Sequence, residues 1–264
     1  MGEIITIYNK KGGVGKTTTA INLSAGFVRH GFKVLAVDAD SQGSLTDSLG
    51  VADKDHLEFT LMEMISAGCE SMTSPTETLD RGKYIVQTEE GIDLIPANRK
   101  LGGAQVLLNS QIGGATMFRY LLTPLRDQYD YIIIDGCATF NILVTNAMTC
   151  ADSVIIPVET QYLAAKGMRD LLDDFLITKR TSNPALILRG ILLTKTDDRT
   201  RATKDTRAMI RNTFGHDLNI FQTEIPSNTQ LAAAPQYGRS IFSYAKWSTG
   251  AKAYEQLIEE ILTY

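Results

Sequence analysis

Cysteine is scarce in this chain: Cys69, Cys137 and Cys150 are the only three among 264 residues, far apart and without a C-x-x-C pair. That spacing excludes a disulfide framework or a thiolate zinc site and leaves a reducing cytoplasm as the expected setting. The three histidines, His30, His56 and His216, add no metal-binding spacing. No apolar run is long enough to span a bilayer. Glu3, followed at once by a strand pattern, argues against a signal peptide. Positive charge is not in excess either, since 26 basic against 30 acidic residues leave a net −4. A surface basic all over is excluded, so any nucleic-acid contact must come from a local patch. What remains, 44% hydrophobic and 21% charged residues, suits an ordinary soluble protein with a core of normal size. No repeat, low-complexity linker or boundary stands out, and residues 1–264 read as one domain.

Residues 4–8 form a short, mostly apolar strand pattern that runs directly into a glycine-rich loop. Ala20, Leu23 and Phe27 then recur at helical spacing over residues 16–29, with Gly31 as the stop. Apolar strands follow at 34–37, 131–135, 153–158 and 186–193, separated by helical patterns such as 117–126 and 167–176. Strands apolar on both faces, alternating with helices, predict an α/β fold. Its sheet is doubly wound and mostly parallel, with helices on both faces. Polar residues just past the strand ends lie where such sheets bind ligands. Residues 51–103 are less regular and read as peripheral.

Lys11-Gly12-Gly13-Val14-Gly15-Lys16-Thr17 follows a strand and opens a helix, the context of a phosphate-binding loop. Its glycines let backbone N–H groups turn inward around phosphate oxygens, and the helix dipole faces the same anion. Lys16 is a point charge for the outer phosphates of a nucleoside triphosphate, and the Thr17 hydroxyl is placed to ligate Mg²⁺. Lys10 occupies the position where such loops usually begin with glycine. Lys11 is redundant for one nucleotide. Either it is merely solvated, or it reaches across a symmetric interface to a partner's phosphates, as arginine fingers do. Asp135 ends one apolar strand and suits Mg²⁺ or its water. Asp38 and Asp40 end another, two residues apart and so on one side of an extended backbone. One of them could orient an attacking water while the other tunes the metal shell. A carboxylate at a strand end is otherwise a turn or helix cap.

With its additional lysine, the loop from Lys11 to Thr17 resembles the deviant Walker A motif of the ParA/Soj/MinD group of ATPases. Asp38-Ala39-Asp40-Ser41-Gln42-Gly43 resembles that group's switch I segment, and Ile134-Asp135 its Walker B strand. Ile95-Pro96-Ala97-Asn98 with Leu101 resembles the ParA/Soj branch. So does Ile225-Pro226-Ser227-Asn228, followed by Leu231, Ala234-Pro235, Gly238, Ile241-Phe242, Tyr244, Ser248 and Gly250-Ala251. The resemblance implies homodimers formed with ATP and Mg²⁺ that bind DNA without sequence preference and partition plasmids or chromosomes. A ParB-like centromere-binding protein would stimulate hydrolysis, in the cytoplasm and on the nucleoid. By motif position it implies hydrolysis through Asp40, the Walker B role for Asp135, and Lys11 crossing the dimer interface. Thr17, Asp40 and Asp135 are the metal candidates, and Thr18 continues the phosphate loop. Thr194, Lys195 and Pro226 lie where the family contacts adenine. Ser41 replaces the usual proline, Gly136-Cys137-Ala138 the common Cys-Pro-Pro, and Ala233 a frequent glutamate.

From Lys195 to Arg211, six basic residues (Lys195, Arg199, Arg201, Lys204, Arg207, Arg211) stand against Asp197, Asp198 and Asp205, a local +3. Lys204, Arg207 and Arg211 share one face of a helix expected to start near Thr200. The row is either a solvated face or, given the resemblance, a set of DNA phosphate contacts that includes Arg199 and Arg201. A non-catalytic, ATP-gated DNA-binding module or repressor is the alternative from another class. A MinD-like positioning switch would end in a basic amphipathic helix. Here the C-terminal helix puts Ala251, Tyr254, Leu257 and Ile261 on one face and Glu255, Glu259 and Glu260 on others, which predicts a docked core helix and no membrane contact. An iron protein of the nitrogenase type would need a second cysteine near Gly102-Gly103, and none is there.

Overall fold

In a computed structural model that describes residues 1–73, 79–160 and 164–263, eight strands form one sheet. They are β1 (Glu3–Ile7), β2 (Val34–Ala39), β3 (Val86–Gln87), β4 (Asp93–Ile95), β5 (Tyr131–Gly136), β6 (Ser153–Glu159), β7 (Ile187–Thr196) and β8 (Ile225–Pro226). The order is β3-β4-β2-β5-β1-β6-β7-β8, parallel throughout except for the β3–β4 pair.

The helices are α1 (Lys16–Arg29), α2 (Ser44–Ser48), α3 (Leu61–Thr73), α4 (Ala104–Ser110), α5 (Met117–Leu122) and α6 (Ile142–Cys150). They continue with α7 (Ala164–Thr181), α8 (Arg201–Phe214), α9 (Thr229–Ala233), α10 (Ile241–Tyr244) and α11 (Thr249–Thr263). Successive strand side chains alternate between the two faces. Ile4, Leu35, Val37, Ile132, Ile134, Val154 and Ile156 pack with α3 to α8 on one side. Ile5, Ile7, Val34, Ala36, Ile133 and Ile155 pack with α1, α2 and α9 to α11 on the other. A sheet covered on both sides needs the continuous apolar runs seen in the sequence.

Two expectations are corrected. Residues 51–103 are not peripheral: Leu61, Met64 and Ile65 of α3 and Leu94 and Ile95 of β4 are fully buried, and β4 extends the sheet beside β2. The apolar positions of α3 do keep helical spacing, but short irregular flanks and two- and three-residue strands hide the pattern. The helix expected over 117–126 stops at Leu122 and tightens into a 3-10 turn at Thr123–Leu125. Pro124 lacks the N–H that would continue the α-helical ladder. The C-terminal helix α11 docks as expected, with Ala251, Tyr254, Leu257 and Ile261 buried.

Candidate nucleotide site

β1 sits between β5 and β6 and delivers the chain at its C-terminal edge into a loop that becomes α1. The start of the loop is pinned by a buried side chain that the sequence reading passed over. Asn9 donates through Nδ2 to Pro157 O at 2.6 Å and accepts from Lys11 N at 2.8 Å. Gly13 (φ 73°) and Gly15 (φ 93°) are left-handed, a conformation that a side chain would strain. Gly15 is the N-cap of α1, no side chain caps it, and the first turn holds no acidic residue. The orphan amide donors and the positive end of the dipole are therefore left for an anion. Thr194 Oγ1 braces the loop from β7 by donating to Val14 O at 2.8 Å. Lys16 is 8% exposed and donates to Lys11 O at 3.2 Å. Burial lowers its pKa, while the Asp135 and Asp40 carboxylates oppose that shift.

Strand parity puts Asp38 and Asp135 on the α1 side, in register with one another across β2 and β5. Asp135 Oδ2 accepts from Thr17 Oγ1 at 2.6 Å, while Asp135 Oδ1 is buried with no hydrogen-bond partner among the described residues. Burial, and then the neighbouring Asp38 carboxylate, push the Asp135 pKa up to about 8. An acceptor oxygen without a donor, beside a hydroxyl at a helix N-terminus, fits a hard divalent cation such as Mg²⁺. Thr17 and Asp135 would hold that ion, which supplies neutralising charge beside the phosphates when bound.

Asp38 is placed differently from its expected catalytic role. It is fully buried and its pKa rises to about 6, mainly through burial. Oδ1 accepts from Asp40 N at 3.2 Å, and Oδ2 from Thr46 N (2.8 Å) and Thr46 Oγ1 (2.7 Å). Asp38 thus ties α2 to the strand end and is a positioning residue. Asp40 is half-buried past the strand and accepts from Gln42 N at 3.0 Å. Of the three expected metal residues, Thr17 and Asp135 are hydrogen-bonded, while Asp40 makes no hydrogen bond to either but stands close enough for its carboxylate to add to the upward shift of Asp135.

The motif at 95–98 has a visible purpose. Ala97 N donates to Thr46 Oγ1 at 2.9 Å, and Asn98 Nδ2 donates to Lys54 O at 3.0 Å. Lys54 Nζ in turn donates to Gln42 O (2.5 Å) and Gly43 O (3.1 Å) and pairs with Asp47. The segment after Asp40 is fastened at both ends. Thr46 and Lys54 escaped sequence reading because neither belongs to a catalytic residue pattern.

Lys11 Nζ meets Glu159 Oε2 at 3.0 Å, and Lys195 Nζ lies 3.7 Å from the other oxygen. Lys195 is left-handed (φ 51°) beside a shift in the β7–β8 register. A cleft of about 240 Å³ opens next to the phosphate loop, lined by Gly15, Thr18, Thr194, Lys195, Pro226 and Tyr254 among others. The residues expected near adenine therefore do converge with Thr18 at one apolar cleft. Lys10, at the missing glycine position, pairs with Asp174 at 2.8 Å and is structural.

The basic row on α8 changes meaning. The helix starts after Thr200, whose side chain caps Thr203 N, and Lys204 is exposed. Arg207, however, pairs with Asp198 (2.6 Å) and Glu224 (2.8 Å), and Arg211 with Glu224 (3.1 Å). Both arginines are only about a quarter exposed. They clamp α8 to the segment entering β8, and as three free phosphate contacts the row is corrected. Arg199 and Arg201 are exposed, in ion pairs with Asp197 and Asp205, and such pairs hold little free energy.

A family model described as an AAA domain matches residues 2–188. The chromosome-partitioning ATPase Soj of Thermus thermophilus is 38% identical over 259 residues, covering 98% of this chain and 94% of its own. The chain belongs to the ParA/Soj family of partition ATPases. To this family member, the sporulation initiation inhibitor protein Soj of Bacillus subtilis is 36% identical over 261 residues, covering 99% and 98% of the two chains. Among solved structures, a Mycobacterium smegmatis cobyrinic acid a,c-diamide synthase with bound ADP and magnesium superposes with a TM-score of 0.84. It is 30% identical and covers 99% of this family member and 94% of that chain. No helix among the described residues is long and apolar enough to cross a membrane.

Proposed function

We propose that this ParA/Soj-family chain is a Mg²⁺-dependent ATPase switch. It dimerises with ATP, binds DNA without sequence preference, and partitions a plasmid or chromosome under control of a ParB-like partner. The observation that carries the reading is the unpartnered, buried Asp135 Oδ1 beside Thr17 at the uncapped N-terminus of α1. In the apo protein that arrangement is costly, and a Mg²⁺-bound triphosphate relieves it. The loop amides and Lys16 bind the phosphates, and the cleft at Thr194 and Pro226 takes the base. Asp40, half-buried beyond β2, is the group available to orient the attacking water. Lys11 leaves Glu159 for the partner's phosphates across a two-fold axis, since each protomer presents the same loop. Exposed cations around Arg199, Arg201 and Lys204 face DNA, and the protein works in the cytoplasm at the nucleoid.

The second reading, an ATP-gated DNA-binding module with negligible turnover, is favoured by Asp40 being engaged by Gln42 N and by Ser41 standing in the proline position. One experiment separates the two: ATP turnover with and without duplex DNA and a ParB-like partner, alongside sedimentation with ATP and with ADP. The switch predicts an ATP-specific dimer whose turnover rises with DNA and partner. A dimer with no turnover under any condition supports the module. Lys11→Ala is expected to weaken ATP-induced dimerisation more than ATP binding, and a mutant dimer as stable as wild type would sink the trans role.

A further inference from the structure

Asp40 opens a tight turn. Its carbonyl accepts from Gly43 N at 2.9 Å and its Oδ1 from Gln42 N at 3.0 Å. Residues Asp40 to Gly43 are therefore a β-turn with aspartate first and a left-handed glycine (φ 61°) last. Proline is favoured at the second position of such a turn, where its ring fixes φ. Here that position is Ser41, which leaves the torsion unrestrained by its own chemistry.

A restraint arrives instead from Lys54. Its ammonium has three N–H donors, and each finds an acceptor on this segment: Gln42 O at 2.5 Å, Gly43 O at 3.1 Å and the Asp47 carboxylate. The stem lies against Gly43, where an added Cβ would come within 2.9 Å of Lys54 Cδ and 2.6 Å of Ala97 O. The side chain is only 18% exposed, low for a lysine. Lys54 is itself held from behind, since its carbonyl accepts from Nδ2 of the fully buried Asn98 at 3.0 Å. The chain enters it through Asp53, left-handed at φ 53°. That conformation costs free energy in a residue with a side chain and persists where its surroundings impose it. None of these contacts involves the phosphate loop.

We propose that Lys54 is a positioning residue for hydrolysis: it fixes the Asp40 turn in place of the absent proline and so holds the Asp40 carboxylate where it orients water. The role rests on the reading of Asp40 as the hydrolytic group. Orienting a nucleophile demands placement to within about 0.5 Å, and a turn whose second residue rotates freely does not supply it. Hydrogen bonds from an ammonium are shorter and stronger than neutral ones. Here they pin the last two residues of the turn and the first turn of α2 to one point.

The test is steady-state turnover with ATP and Mg²⁺, paired with calorimetric ATP affinity. It compares wild type, Asp40→Ala, Lys54→Met, and Lys54→Met combined with Ser41→Pro. Lys54→Met should lower kcat about ten-fold, while KM and ATP affinity change by less than about two-fold. Adding Ser41→Pro should restore most of that kcat, because the ring supplies the restraint the ammonium gave; a lysine that merely stabilised the fold would not be rescued in this way. Thermal melts show whether each variant is folded. Lys54→Gln keeps part of the stem over Gly43 without the charge, and it replaces the methionine variant, with the same expected split, if the latter does not fold. Full kcat without the lysine, a parallel loss of ATP affinity, or no rescue by Ser41→Pro overturns the positioning role while Asp40→Ala still abolishes turnover. Unchanged turnover in Asp40→Ala, or none in wild type, overturns the reading beneath it.

Discussion

The phosphate loop and the basic row on α8 look alike on paper, since each is a set of charges at regular spacing opening or lining a helix. In the folded chain they are opposites. Around the loop, charge converges on one place: Lys16 is buried against the Lys11 carbonyl, Asp135 Oδ1 has no donor among the described residues, and α1 has no side-chain cap. On α8, Arg207 and Arg211 each have their carboxylate within the chain, at Glu224. Spacing places side chains on a face. Whether their partners lie inside or outside the molecule is settled by tertiary structure alone.

The largest effect expected from this contrast falls on the loop. Lys16→Ala should abolish measurable ATP binding, because a charge-assisted contact is worth about 1.5–3 kcal/mol and several would be lost together. Isothermal titration with ATP and Mg²⁺ checks it, and near-normal affinity would mean the loop does not hold phosphates. Asp40→Ala should keep ATP binding yet slow turnover well over ten-fold, leaving a persistent ATP dimer. Unchanged phosphate release would move the role elsewhere. On the other side of the comparison, Arg207→Ala should cost about 1–3 kcal/mol of folding stability, between the value of an exposed and a buried ion pair. Glu224→Gln should cost a comparable amount. Chemical denaturation reads both. A fully stable Arg207 variant with strongly reduced DNA affinity would restore the row as a DNA contact.

Much of this was legible beforehand. The central strands read from their apolar runs, and α1 matched residue for residue because Ala20, Leu23 and Phe27 keep a strict period ahead of Gly31. Asp38, Asp40 and Asp135 could be placed at strand ends because the strands were right. Their division of labour could not, since it depends on Thr46, fifty-one residues from its second partner Ala97. Lys54 and Asn9 hold backbone carbonyls and amides, and such bonds leave no trace in residue type. β3, β4 and β8 are two or three residues long, too short for any period to show.

The smallest effect tests the unfilled site without a nucleotide. Asp135 in the folded apo protein holds its proton up to about pH 8, whereas an unperturbed carboxyl loses it near 3.8. Between those limits the folded state binds the extra proton, so apo stability must rise as pH falls through about 8 toward 4 and fall as pH rises. The cause is burial and the facing Asp38 carboxylate, so removing one charge should remove the slope. Asp135→Asn is therefore expected to melt several degrees above wild type at pH 8.5, with a flatter profile down to pH 6, while losing Mg²⁺-dependent nucleotide binding. For wild type, added ATP and Mg²⁺ should stabilise more at pH 8.5 than at pH 6, because the cation displaces that proton. Thermal melts of both proteins across this range, with and without nucleotide, give the answer. A wild-type profile with no rise toward pH 6, or an asparagine variant less stable than wild type at pH 8.5, would mean that Asp135 is already satisfied in the apo chain. The contrast with α8 would then collapse.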